Sequence, residues 1–239
     1  MKLGVNIDHI ATLREQRKED DPNLLEAAKT VLSAGADGIT IHLREDRRHI
    51  QDTDVFTLRK HVPRLNLEMA MNESVLSIAR QVTPDYACLV PEKRQELTTE
   101  GGLNTISNIE QLKTVVKSLQ NEKIIVSIFI DPDLLQIEAA KASGAQYIEI
   151  HTGDYANCPE SEKAIELKRI AQAVVFATSI GLKVNAGHGL NYHNVTAITK
   201  IPNIEELNIG HSIVSKAIQT GLSEAVTEMK RLVLAAALC

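Results

Sequence analysis

Tryptophan is absent, and aromatic residues make up only 3% of the 239 positions. With so few stacking platforms, and 26 lysines and arginines against 31 aspartates and glutamates, general affinity for nucleic acid is not expected. Cysteine is scarce too. Cys88, Cys158 and Cys239 are odd in number and widely spaced, which suits neither a disulfide framework nor a zinc pattern, so reduced thiols are expected. The longest apolar runs, such as 232–238, fall far short of the ~18 residues that a membrane span needs. The chain opens directly on Lys2-Leu3-Gly4-Val5-Asn6-Ile7-Asp8, without the basic, apolar and small-residue zones of a signal peptide. A cytoplasmic protein with no membrane partner is the expectation. A Walker A motif and a strand-linked dinucleotide fingerprint are also missing.

What is present is an ordinary globular balance: 44% hydrophobic, 24% charged, and a formal net charge of -5. Short strand-like runs recur at 3–8, 37–42, 64–68, 86–90, 124–130, 146–150, 182–186 and 204–209, each followed by a polar loop and a helical pattern. Eight is the closure number of a parallel barrel, and roughly 250 residues is its usual length. The fold class expected is therefore α/β, a single (β/α)8 TIM barrel with extra helices; no Gly-, Ser- or Pro-rich linker divides residues 1–239, which read as one domain. Gly35, Gly144 and Gly181 sit where helices should end and strands begin. Leu24, Ala28, Val31 and Leu32, and likewise Val75, Ile78, Ala79 and Val82, follow a helical period. Pro22 and Pro132 are expected in first helical turns, and 223–238 reads as a C-terminal helix that closes the barrel or packs on a neighbour.

Nearly every strand-like run ends in residues capable of chemistry. Side chains alternate along a strand, so Asn6 and Asp8 share one face, as do Thr40 and His42, Asn66 and Glu68, and Glu149 and His151; Asn185 and Asn208 sit likewise. Outward faces must meet apolar helices, so the polar set should line the lumen and reach its C-terminal mouth. Gly187-His188-Gly189 and Gly210-His211 follow the last two runs. Glycines there let backbone amides approach an anion, although two ordinary tight turns would look the same. Arginine forks match phosphate oxygens, which makes 42–49 a candidate phosphate contact and the basic stretch 13–18, read as a loop, a second. Self-pairing with Glu45 and Asp46 accounts for Arg47 and Arg48 but not for an inward His42. Glu68 and Glu149 are inward carboxyl groups that either pair structurally or exchange protons near neutrality alongside His42 and His188. A metal is not expected, because neither His-x-His after the first strand nor His-Glu-x-x-His occurs. A Schiff-base lysine is weaker still, since Lys183 enters its strand and Lys93 lies in a loop with Glu92 and Arg94.

The stretches 4–14 (GVNIDHIATLR), 42–50 (HLREDRRHI), 90–96 (VPEKRQE), 184–190 (VNAGHGL) and 207–211 (LNIGH) resemble those of the pyridoxine 5'-phosphate synthase family, and the resemblance runs from end to end. It implies a barrel assembled as a homo-octamer, a tetramer of dimers. It also implies condensation of two small phosphorylated substrates, 3-amino-2-oxopropyl phosphate (1-aminoacetone 3-phosphate) and 1-deoxy-D-xylulose 5-phosphate, to pyridoxine 5'-phosphate, phosphate and water, with no cofactor. Carried over by position, His42 and Glu68 would accept protons, His188 would donate one, and Glu149 would stabilise a transition state. Asn6, Arg17, Gly189, Gly210 and His211 would hold the aminoketone phosphate; Asp8, His9, Arg44, His49 and Thr98 would meet the deoxyxylulose phosphate. The segment 92–102 is a candidate to hinge as a lid, although a merely long, ordered connection would read the same. Other phosphosugar barrels, such as an isomerase or a metal-assisted aldolase, and a phosphometabolite sensor are the alternatives.

Overall fold

The computed structural model describes residues 1–92 and 101–235. Thr98, Lys93, Arg94, Cys239 and most of the expected lid lie outside the described residues. The strands are β1 (Lys2–Asn6), β2 (Gly38–His42), β3 (Leu65–Met69), β4 (Tyr86–Leu89), β5 (Ile125–Ile130), β6 (Tyr147–His151), β7 (Lys183–Gly187) and β8 (Ile204–Ile209). They pair in parallel in sequence order and close, β1 against β8, into the (β/α)8 TIM barrel. The helices are α1 (Asp8–Glu15), α2 (Leu24–Ser33), α3 (Asp52–His61), α4 (Glu73–Val82), α5 (Ile109–Asn121), α6 (Leu134–Ala142), α7 (Gly153–Asn157), α8 (Lys163–Ser179), α9 (Val195–Thr199), α10 (His211–Thr220) and α11 (Leu222–Ala235). Of these, α1, α7 and α10 start at the C-terminal ends of β1, β6 and β8 as additions to the outer ring.

The strands form where they do because their alternate residues have an apolar partner. Val5, Ile39, Ile41, Leu67, Ile128, Ile148, Val184 and Leu207 point outward and are fully buried against the apolar stripes of the helices, such as Ala28 and Val31 of α2 or Val75 and Ala79 of α4. Burial of each such aliphatic side chain contributes roughly 1.5–3 kcal/mol. Helix α11 packs on α10, α9, α2 and β1, so it closes the ring, with the Thr227 hydroxyl donating to the carbonyl of Ala34. Gly35, Gly144 and Gly181 take positive φ at helix ends, as expected. Among the described residues no helix is long and apolar enough to cross a membrane.

Three local expectations are corrected. The first strand stops at Asn6: the Asn6 Oδ1 accepts the N–H of Asp8 at 2.9 Å, which turns the chain into α1, so Asp8 opens a helix rather than sharing a strand face with Asn6. The basic stretch 13–18 is only half loop, because its first three residues end α1 and 16–18 form the turn after it, and Arg14 is committed to both oxygens of Asp54 at 2.7 and 2.8 Å. Pro22 and Pro132 precede the caps, since Asn23 caps α2 through the N–H of Glu26 and Asp133 caps α6 through those of Leu135 and Gln136.

On the lumen side a polar girdle crosses the barrel. Asn66 donates to the Thr40 hydroxyl at 3.4 Å, Thr40 donates to Asn208 Oδ1 at 3.0 Å, and Asn208 Nδ2 donates to Glu149 at 2.7 Å. Room for it comes from Gly4, where a Cβ would stand 2.1 Å from Asn208 Oδ1. Gly4→Ala is therefore expected to push Asn208 off Thr40 and Glu149 and to lower the unfolding free energy by about 1–3 kcal/mol. Urea unfolding of the variant against the native chain measures this, and an unchanged midpoint would contradict it.

Candidate active site

The C-terminal mouth gathers side chains from six strand ends. Asp8 Oδ1 accepts the backbone N–H of His42 at 2.9 Å, and Asp8 Oδ2 accepts Asn6 Nδ2 at 2.9 Å. Asn6 Nδ2 also lies 3.5 Å from Glu68 Oε2. Asp8 thus still reaches the lumen, although from a helix start. His42 Nε2 stands 3.4 Å from Glu92 Oε2, and the other Glu92 oxygen accepts the N–H of Glu45 at 2.8 Å. Arg44, buried, lies 3.8 Å from the same carboxylate. His49 is set edge-on to His42 with ring centres 6.3 Å apart, and His9 stands edge-on to His211 at 5.0 Å. Gly210 caps α10 beside Asn6, whose Cβ would be 2.8 Å from a Cβ at position 210, so the positive end of that helix is brought to the mouth. Gly187 is similarly required: a Cβ there would fall 2.4 Å from Glu149 Oε1.

Three carboxyl groups in one poorly hydrated lumen cannot all ionise cheaply. Burial, then the charges of Glu149 and Asp8, push the Glu68 carboxyl well above the usual range, although Asn6 opposes the shift and the mouth leaves Glu68 some contact with water. Burial raises Glu149 to about 7 against the hydrogen bond from Asn208, with Glu206 adding to the rise. Burial and the charge of His151 lower His188 to about 4. His9 and His49 are also lowered, chiefly by burial. The mouth therefore holds carboxyl groups that keep protons near neutrality next to imidazoles that lack them, an acid–base set with both partners in place.

Asp8, His42 and Glu68 each offer one ligand atom, all within 4.8 Å of one another. No sequence spacing betrays this trio, since its members come from three different strand ends. As a cation site it is encumbered, because Asp8 is already engaged by Asn6 and the His42 amide. The cluster is better suited to moving protons.

The expected site residues Asn6, Asp8, His9, His42, Arg44, Glu68, Gly210 and His211 converge at the mouth, and Glu149 lies below them in the girdle. His188 and Gly189 follow β7, both with positive φ, but the next helix, α9, begins only at Val195. Arg47 and Arg48 are taken up by Asp52 and Asp46, as self-pairing implies. Arg17 stands exposed on the turn after α1. Sequence reasoning missed Glu92, whose only signal is its place directly after a strand end, and the pairing of His151 with Asp131 at 2.9 Å.

Fold and site together define a parallel barrel whose C-terminal mouth gathers an acid–base set of side chains. The chain belongs to the family described as pyridoxal phosphate biosynthesis protein PdxJ, whose model matches residues 3–235. Pyridoxine 5'-phosphate synthase of Coxiella burnetii (strain RSA 493 / Nine Mile phase I) is 57% identical over 235 residues, 98% of this chain and 98% of its own. The synthase of the same name from Pseudoalteromonas translucida (strain TAC 125) is 55% identical over 236 residues, 98% and 97% of the two chains. Among solved structures, KGPDC from Streptococcus mutans aligns with a TM-score of 0.66 at 13% identity over 98% of this chain and 97% of that one. TrpF from Jonesia denitrificans aligns at 0.61 and 12% over 99% and 98%. These two likenesses concern the fold alone.

Because Glu149 is raised above its unfolded value, its contribution to stability is complete below about pH 4.5 and is lost as pH rises through about 7. Glu149→Gln keeps an oxygen for Asn208 and removes the titration. Relative to the native chain, the variant should gain stability progressively between those two pH values, as read by thermal unfolding at pH 4.5, 6 and 8. A difference that does not vary with pH would contradict the assignment.

Proposed function

We propose that this chain joins 3-amino-2-oxopropyl phosphate to 1-deoxy-D-xylulose 5-phosphate, forming pyridoxine 5'-phosphate with release of phosphate and water. The observation that carries the reading is the acid–base set at the mouth, in a chain that matches its synthase relatives from end to end. The amine of one substrate attacks the ketone of the other, so the imine forms between the substrates and no enzyme lysine is needed. Proton transfers, loss of water and phosphate, and ring closure with aromatisation follow. Each transfer wants a positioned acid or base, typically worth 10²- to 10⁴-fold.

In this reading His42 and Glu68 accept protons, Glu68 once it has given up the proton it holds in the free protein, His188 donates one, and Glu149 stabilises charge that develops in the lumen. His188 is neutral at pH 7 in the free protein. A bound phosphate dianion nearby raises its proton affinity, so the acid is loaded as substrate arrives. The aminoketone phosphate is held by Asn6, Arg17, Gly189, Gly210 and His211, where the start of α10 supplies amides and an exposed guanidinium supplies charge. The deoxyxylulose phosphate meets Asp8, His9, Arg44, His49 and Thr98. Residues 1–239 act as one catalytic domain in the cytoplasm, where both phosphorylated substrates are retained. A homo-octamer, a tetramer of dimers, is part of the same proposal; exposed Leu135, Ile165, Val175 and Ile218 on the helical ring support contacts between copies.

Glu68→Gln should lower kcat by at least about 10²-fold while the dissociation constant of each substrate changes little. Isothermal titration and a turnover assay check this, and a variant that keeps its rate removes Glu68 from the role. Turnover of EDTA-treated protein is expected to equal that of untreated protein. Activity that returns only with a divalent ion would instead favour metal use by Asp8, His42 and Glu68, and saturable binding without product would favour a sensor.

A further inference from the structure

The buried His151 and the half-exposed Asp131 form a contact that the scheme above leaves without a task. His151 ends β6, and Asp131 directly follows β5 on the neighbouring strand. The His151 Nδ1–H donates to Asp131 Oδ1 at 2.9 Å, and the same oxygen accepts the N–H of Gly102 at 2.9 Å. The opposite edge of the ring is packed against Gly153, where a Cβ would come within 2.3 Å of Nε2, so only glycine at 153 allows this ring orientation. The ring centre of His151 lies 5.0 Å from that of His188 and 5.3 Å from that of Phe129, which in turn lies 6.2 Å from His188. The backbone of His188 is held as well, since the Thr152 hydroxyl reaches the carbonyl oxygens of Gly187 and His188 at 2.7 and 2.6 Å.

We propose that Asp131 and His151 are positioning residues for His188: Asp131 fixes the ring of His151, and His151 with Phe129 walls the imidazole of His188 into its place for proton transfer. A carboxylate on one ring nitrogen sets the tautomer and orientation of a histidine. Asp131 is suited to this, because the hydrogen bond from His151, ahead of an opposing burial effect, holds its carboxyl below the usual range. The charge on His151 is in turn one of the two causes that lower His188. The other charged groups around the pair come from α8 and α7: Arg169 acts on Asp131 and is paired with Glu166 and Asp154. The inference rests on His188 as the proton donor of the proposed reaction.

The test follows the His188 ring by NMR in histidine-labelled native protein, His151→Gln and Asp131→Asn, with turnover measured across pH in parallel. In His151→Gln, His188 should titrate at a higher pH than in the native chain, and kcat should fall on the order of tenfold with KM within about twofold. Asp131→Asn keeps an oxygen for Nδ1–H and should show a smaller loss with a displaced pH profile; it carries the comparison if His151→Gln does not fold. An unmoved His188 titration with superimposable pH profiles overturns the inference. Native protein that makes no product, while His151→Gln still moves the His188 titration, overturns the reaction assignment and leaves the positioning role standing.

Discussion

Each of the eight strands has to be apolar on the side that meets helices, and this two-sidedness governs everything else in the molecule. Ile39, Ile41, Leu67, Ile148 and Val184 hold the sheet to the helical ring and leave no outward position for chemistry. Polar residues on these strands can only face the lumen, where Thr40, Asn208 and Glu149 satisfy one another across the barrel. The same geometry concentrates Asp8, Glu68 and Glu149 where water is scarce, and burying carboxyl groups there costs stability that the apolar exterior of the barrel offsets.

That cost is what shifts the proton affinities of the mouth. Burial leaves carboxyl groups that resist ionisation beside His188 and His9, whose proton affinity it lowers. Glycine at Gly187 and Gly210 is needed for the same reason as the carboxyl crowding: the end of β7 passes within contact distance of the Glu149 carboxyl, and the backbone after β8 passes within contact distance of the Asn6 side chain. Asp8 links the parts, since it receives hydrogen bonds from the backbone of His42 and the side chain of Asn6, and its charge adds to the proton retention of Glu68.

Alternation along the strands was legible in the sequence, and with it the barrel, the inward His42, Glu68, Glu149 and Asn208, and the glycine turns after β7 and β8. Relations between strand ends were not. Nothing in the local pattern shows that Asn6 caps Asp8 and ends the strand, or that Arg14 of α1 is spent on Asp54 forty positions later in the chain. The proximity of Asp8, His42 and Glu68 depends on strand tilt and closure, and the His151–Asp131 contact joins a strand end to the loop after its neighbour. Charge patterning likewise separated Arg47 and Arg48, which pair locally, from the buried Arg44 only in part, because burial is a tertiary property.

The central claim is that the lumen carboxyl groups keep protons at the pH where the enzyme works. Carboxyl-carbon NMR of glutamate-labelled protein, with Glu68→Gln and Glu149→Gln used to assign the two signals, reads this without turnover. A midpoint near 7 is expected for Glu149, with a Glu68 carboxyl still protonated well above the usual carboxylate range. Two ordinary titrations complete below pH 5 would contradict it.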